Sequence, residues 1–117
     1  MGLQDGASFH RIINNLKIKD MRIDFNKKVM DWEGKETEAS LASVLGRNIY
    51  YLSDNPNLQL PYEDKYKAYQ IGRRILDSDG KGDMEISTEE ATLIKRMASV
   101  LLTIGGYGQV VDLIEGN

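Results

Sequence analysis

"DSDGKGDMEISTEE", residues 77–90, decides how the second half of the chain is read. Two readings compete. Counted as a calcium loop from Asp77, position 3 is Asp79, position 6 is Gly82 and position 8 is Met84, all as an EF-hand loop wants. Position 5, however, is Lys81, a cation where an oxygen ligand belongs. Position 12 is Thr88, which cannot supply the bidentate carboxylate that completes the shell. Glu89 stands one residue late, a rotation of about 100° on a helix. The other reading uses every residue. Asp77–Gly82 turns out of a helix, with Gly80 and Gly82 able to take left-handed angles. "MEI" at 84–86 is a short strand, and Ser87 with Glu90 forms a capping box that starts the next helix. The stretch is therefore expected to be a connector without a metal, with Asp77, Asp79 and Asp83 as the calcium candidates of the weaker reading.

Downstream, Ala91, Leu93, Ile94, Met97, Ala98, Val100, Leu101, Leu102 and Ile104 cover more than half the circumference of a helix over about 88–104. A stripe this wide predicts burial from several sides, hence a central helix. "GGYG" at 105–108 is expected to stop it, and "QVVDLIE" to form a short closing helix. Upstream, a helix over about 62–76 carries Ala68, Tyr69, Gly72, Ile75 and Leu76 on its apolar stripe. Glu63, Lys67, Gln70 and Arg74 make its wet face, with Glu63 spaced to pair with Lys67. Gly72 on the stripe predicts a close approach of another helix.

"SDNPNLQLP" at 53–61 has two prolines and no period, and reads as an internal linker. Before it, Leu41, Val44, Leu45, Ile49 and Leu52 share one face of a helix over 37–52. Met21, Ile23 and Phe25 alternate with Arg22 and Asp24, as a half-buried strand requires. "NKK" at 26–28 is the turn candidate and "VMDW" at 29–32 the returning strand, with Met30 and Trp32 on one face and "EGK" closing it. Ser8 precedes Phe9, Ile12, Ile13 and Leu16, an amphipathic stripe that predicts a first helix at about 8–17. The expected fold is α+β, one domain over 1–117. It is a small antiparallel β-hairpin, with 84–86 available as a third strand, packed on four to five helices.

At 117 residues there is room for one core, and 41% hydrophobic with 28% charged residues is an ordinary globular balance. The absence of cysteine excludes disulfides, thiolate zinc sites and cysteine nucleophiles. The longest uncharged run, 97–111, is broken by Gly105 and Gly106 and is too short to span a bilayer, so no membrane role is expected. "MGLQDGASFH" has neither the basic flank nor the apolar run of a signal peptide, and a cytoplasmic location is expected. Net charge is −3, yet residues 1–28 hold six Lys/Arg against three Asp/Glu. Arg11, Lys17, Lys19, Arg22, Lys27 and Lys28 are the candidates for contacting a phosphate backbone. Scattered as they are, they fall short of the blocks that mark a binding tail, and nucleic acid ranks as a lesser partner.

Nothing in the chain forms a catalytic constellation. His10 stands beside Arg11 with no Ser, Cys or Glu at a catalytic spacing. There is no GxGxxG, P-loop or HExxH, and "GGYG" lacks the strand and lysine of a phosphate loop. Asp77, Asp79, Asp83 and Glu85 sit in a turn where desolvation cannot tune an acid/base pair. The expectation is a non-enzymatic protein without a cofactor. Tyrosines carry the remaining signal: Tyr50, Tyr51, Tyr62, Tyr66 and Tyr69 fall within twenty residues around the linker. Rigid rings with a polar tip suit protein interfaces, and Tyr50, Tyr51, Tyr62 and Tyr66 are the partner-binding candidates. The same rings could instead pave the core edge where the linker crosses.

The succession "DFNKKVMDWEGK", an apolar helix, "YKAYQIGRRI", "MEISTEEATLIKRM" and "GQVVDLIEG" resembles a group of small proteins encoded by bacteriophages and prophages. The similarity covers residues 21–116 and rests on a turn, a cap and helix faces. It brings no activity and no functional residues. It implies a phage context, in which short cysteine-free proteins commonly bind host or phage proteins. The leading expectation is therefore a protein-binding accessory or regulatory module whose partner is another protein. The alternatives are a virion assembly or structural component acting as a homo-oligomer, nucleic-acid binding through the basic first 28 residues, and calcium-dependent binding through 77–88.

Overall fold

A computed structural model describes residues 21–53 and 55–116; the predicted helix at 8–17, with His10, Arg11, Lys17 and Lys19, lies outside the described residues. Strand β1, Met21–Ile23, alternates as its sequence predicts, with Ile23 buried and Arg22 exposed. Its partner is not 29–32. β1 pairs antiparallel with β4, Met84–Ile86, in the register Met21↔Ile86, Arg22↔Glu85 and Ile23↔Met84. The chain leaves β1 because the Asp24 carboxylate accepts from the Asn26 backbone N–H (2.9 Å), an Asx turn. Phe25, between the two, is completely buried. Backbone bonds from Ala42 N to Phe25 O (2.7 Å) and Leu41 N to Lys27 O (2.8 Å) then hold this stretch along the start of the first described helix.

The predicted hairpin is displaced along the chain. β2, Lys28–Met30, pairs antiparallel with β3, Glu36–Ser40, with Lys28 opposite Ser40 and Met30 opposite Glu36. The turn between them is built on Asp31, whose Oδ1 accepts from Glu33 N and Lys35 N, both at 2.9 Å, while Gly34 takes φ +82°. Trp32 therefore rides at a turn tip, 93% exposed, and not on an inward strand face. Residues 37–40, read from sequence as the first turn of a helix, are strand. Helix α1 is Leu41–Tyr50, capped by Ser40 Oγ accepting from Ser43 N at 3.0 Å.

Helix α2, Tyr62–Ser78, crosses α1 closely enough that two glycines are required. A Cβ on Gly72 would stand 3.1 Å from Ile49 Cγ2, and one on Gly46 only 2.7 Å from Leu76 Cγ. The close approach expected from Gly72 is present, but the buried stripe of α2 is Ala68, Ile71, Gly72 and Ile75. Tyr69, placed on that stripe by its spacing, is 49% exposed. Lys67 reaches across to Glu89 of the next helix at 3.5 Å.

Helix α3, Thr88–Leu101, opens on the expected capping box: Glu90 N donates to Ser87 Oγ (3.0 Å) and Ser87 N to Glu90 Oε1 (2.9 Å). Ala91, Leu93, Ile94, Met97 and Ala98 are buried, as a central helix demands, but α3 stops at Leu101. Thr103 turns the chain and caps α4, Ile104–Glu115, its Oγ1 accepting from Gly106 N at 3.1 Å. "GGYG" thus lies inside a helix instead of ending one, and Ile104, counted above with the central stripe, is 92% exposed. Gln109 fastens α4 to the hairpin, accepting from Met30 N (2.7 Å) and donating to Met30 O (3.0 Å).

The result is an α+β fold around one core cluster, to which β1, β4 and the four described helices contribute buried apolar side chains. Phe25, Leu45, Ile71, Ile75, Ile86, Ile94, Met97 and Val110 are its fully buried large side chains. Among the described residues no helix is long and apolar enough to cross a membrane.

Glu90 couples this architecture to pH. Partial burial pushes its carboxyl up, but hydrogen bonds from Arg74 and from the Ser87 backbone outweigh that and hold it below the ordinary value of 4.5. Arg74 Nη1 lies 2.5 Å from Glu90 Oε2, and Arg74 also donates to the Glu85 carbonyl. A depressed folded pKa contributes stability that is present above the unfolded pKa and lost as pH falls through the folded one. Glu90→Gln keeps the capping acceptor but removes the charge. Its deficit against the parent, read by urea unfolding, is expected to be constant near neutrality and to shrink below pH 4.5. A deficit that grows on acidification would contradict the assignment.

Candidate functional site

The end of α1, the linker and the start of α2 bring four tyrosine rings into a row. Tyr51 meets Tyr50 edge-on at 5.2 Å between centroids, Tyr50 meets Tyr69 at 6.1 Å, and Tyr69 stacks on Tyr66 at 6.0 Å. Local geometry explains each half. Tyr50 and Tyr51 straddle the C-terminus of α1, whereas Tyr66 and Tyr69 are three residues apart on one face of α2. The close α1–α2 crossing then joins the halves through Tyr50 and Tyr69. All four rings stay solvent-exposed, from 42% for Tyr50 to 79% for Tyr51. The row therefore contains the predicted Tyr50, Tyr51 and Tyr66. Tyr62, also exposed, begins α2 one turn before Tyr66. Tyr69 completes the row, and its i, i+3 spacing from Tyr66 was the available signal.

Beside the row lies a groove of about 600 Å³, lined by Tyr50 and Tyr69 together with Ile49, Leu52, Leu58 and Leu60. The linker forms one wall. Asn55 accepts from Leu58 N through its carbonyl (3.0 Å) and from Asn57 N through its side chain (2.9 Å), a tight turn that buries Leu58. Arg96 on α3 donates to Gln59 O at 3.2 Å and anchors the same stretch. Apolar floor, aromatic rim and phenolic hydroxyls make a surface that can bury an apolar side chain and hydrogen-bond a backbone at once.

The 77–83 loop is engaged with the first half of the chain. Asp83 Oδ1 accepts from Arg22 Nη2 (2.8 Å) and Nε (3.2 Å), and Asp79 Oδ1 from Ser40 Oγ (2.9 Å). Asn26 donates to Gly82 O (2.8 Å) and accepts from Gly80 N. Asp77 pairs with Arg73 on α2 at 3.6 Å. Gly80 and Gly82 take φ +79° and +115°, the left-handed angles expected of them. The Arg22 hydrogen bond holds the Asp83 carboxyl below its usual range, although so exposed a pair adds little stability. Arg22, Asn26 and Ser40 thus latch the loop, an arrangement no local spacing announces. Among the described residues no group of three or more His, Asp or Glu side chains converges as metal ligands.

The described part of the basic segment is partly committed. Arg22 is paired with Asp83, Lys28 Nζ donates to Glu38 O (3.1 Å), and Lys27 is exposed. Compared with protein-family models, curated proteins and solved structures, the chain matches none.

Proposed function

We propose that this chain is a non-enzymatic protein-binding module, a phage-type accessory or regulatory protein working in the cytoplasm. Its partner, another protein, docks on the tyrosine row and the groove beside it. The observation that carries this reading is the continuous contact Tyr51–Tyr50–Tyr69–Tyr66 held in water next to apolar lining. Tyrosines clustered around a pocket are the typical anchors of interfaces, where truncating one anchor costs about 2 kcal/mol or more. The rings are also held by one another and by two crossed helices, which lowers the entropy lost on docking.

The test is capture from bacterial lysate with the parent chain and with Tyr50→Glu, Tyr51→Glu, Tyr66→Glu and Tyr69→Glu variants. A specific partner is expected to be retained by the parent and by Trp32→Glu at the remote turn. At least one ring variant is expected to lose it about thirtyfold in affinity, with an unchanged unfolding temperature. A partner held equally by all four ring variants would reject this surface.

A further inference from the structure

The groove beside the tyrosine row has a chemistry that selects among the ways a protein segment can dock. Its linker wall commits acceptors internally. Asn55 O accepts from Leu58 N (3.0 Å), Asn55 Oδ1 from Asn57 N (2.9 Å) and Gln59 O from Arg96 Nη2 (3.2 Å). The aromatic side keeps its donors. Tyr50 and Tyr69 line the groove, and among the described residues no hydrogen bond engages their hydroxyls. Lys65 is the one charged side chain among the described lining residues. The groove thus offers donors and apolar faces to a ligand, and few acceptors. An extended strand would bring backbone N–H groups that need acceptors. An α-helix would bring a backbone already bonded within itself, leaving the phenols nothing to donate to.

We propose that the groove takes a proline-rich segment of the partner in the polyproline II conformation. This rests on the tyrosine row being the docking surface, and names what docks there. Such a segment makes no internal hydrogen bonds, and each proline lacks an N–H, so its backbone presents carbonyl acceptors. Phenolic donors satisfy that backbone. Aromatic-lined grooves suit it generally, because a preformed helix loses little entropy on docking.

Length and orientation agree with the chemistry. The centroid steps of 5.2, 6.1 and 6.0 Å make a path of at most about 17 Å, which about five to six polyproline residues span at about 3.1 Å each. Neighbouring ring planes meet at 74°, 45° and 27°, so the row is faceted. Facets receive proline rings, which leave a polyproline helix in three directions per turn. A flat sugar would need a flatter shelf.

The probe is decaproline, titrated into the isotope-labelled full chain and followed by amide NMR shifts. A Gly-Ser peptide of the same length and maltohexaose serve as parallel ligands. Decaproline is expected to saturate with a Kd of about 1 mM or tighter, moving the amides of Tyr50, Leu58, Tyr66 and Tyr69. Tyr69→Ala is expected to weaken it about tenfold or more, and Tyr69→Phe about threefold through loss of the donor alone. Trp32→Ala should leave it unchanged. The spectrum of each variant also verifies that it is folded. No shifts at about 10 mM decaproline would overturn the proposal. Equal shifts with the Gly-Ser peptide would do the same, as would saturation by maltohexaose alone, which would make the surface a glycan platform. If decaproline fails while the ring variants still lose the lysate partner, the tyrosine surface stands and the proline ligand falls.

Discussion

Phe25→Ala is expected to cost about 3–5 kcal/mol, the range for emptying a fully buried aromatic site. For a domain whose total stability is about 5–15 kcal/mol, that brings the chain near its unfolding threshold at physiological temperature. Phe25 has no exposed surface, and it stands between two elements that each depend on its position. Its carbonyl accepts from Ala42 at the start of α1, and its neighbours Asp24 and Asn26 form the turn out of β1. Neighbouring side chains cannot easily close over the space, because the backbone on both sides is tied. Trp32→Ala, although it removes a larger ring, is expected to change stability by about 0.5 kcal/mol or less, since the ring is 93% exposed. Urea unfolding of the two variants reads both numbers, with the m-value unchanged. The opposite order would mean that 21–25 and 29–32 pair with each other, with Trp32 turned inward.

The second large effect lies at the α1–α2 crossing. Gly46→Val is expected to cost about 1–3 kcal/mol by overpacking, because even a Cβ there meets Leu76 Cγ at 2.7 Å and Ile75 Cγ2 at 3.3 Å. Helix propensity works in the other direction, glycine being worse than other residues in a helix interior by a few tenths to about 1 kcal/mol, and it is outweighed. Two branches on the new side chain leave few rotamers for escape. Trimming the obstruction supplies the control. Leu76→Ala alone should destabilise, yet combined with Gly46→Val it should cost less than the sum of the two by about 1 kcal/mol. Strict additivity would show that the helices simply move apart, and that the glycine is not what sets their distance.

Much of this fold was legible where its causes are local. Ser87 and Glu90 announce a cap because both halves of the device lie within four residues, and Gly80 and Gly82 announce a turn for the same reason. Strand pairing was not legible. Alternation at Met21, Ile23 and Phe25 identifies an extended segment but says nothing of its partner, and β1 takes one at Met84–Ile86. Trp32 was misplaced because apolar alternation continued into residues whose turn is set by Asp31 accepting two backbone amides. "GGYG" was misread because each glycine argues against a helix. The Thr103 cap, the Gln109 clamp on Met30 and the burial of Val110 and Ile114 override that cost. At the candidate site, tyrosine abundance around the linker was visible. The row itself was not, because Tyr50 and Tyr69 become neighbours only when two helices cross.

One pairing has a consequence for synthesis on the ribosome. Arg22 must wait for Asp83, 61 positions later, before β1 and β4 can join. At about 5–20 residues per second, that delay amounts to roughly 3–12 s during which Ile23 and Phe25 have no finished shelter. A nascent chain of this protein thus lacks the partner strand for these apolar groups during about half of its translation, and a ribosome-associated chaperone has a defined window in which to hold them.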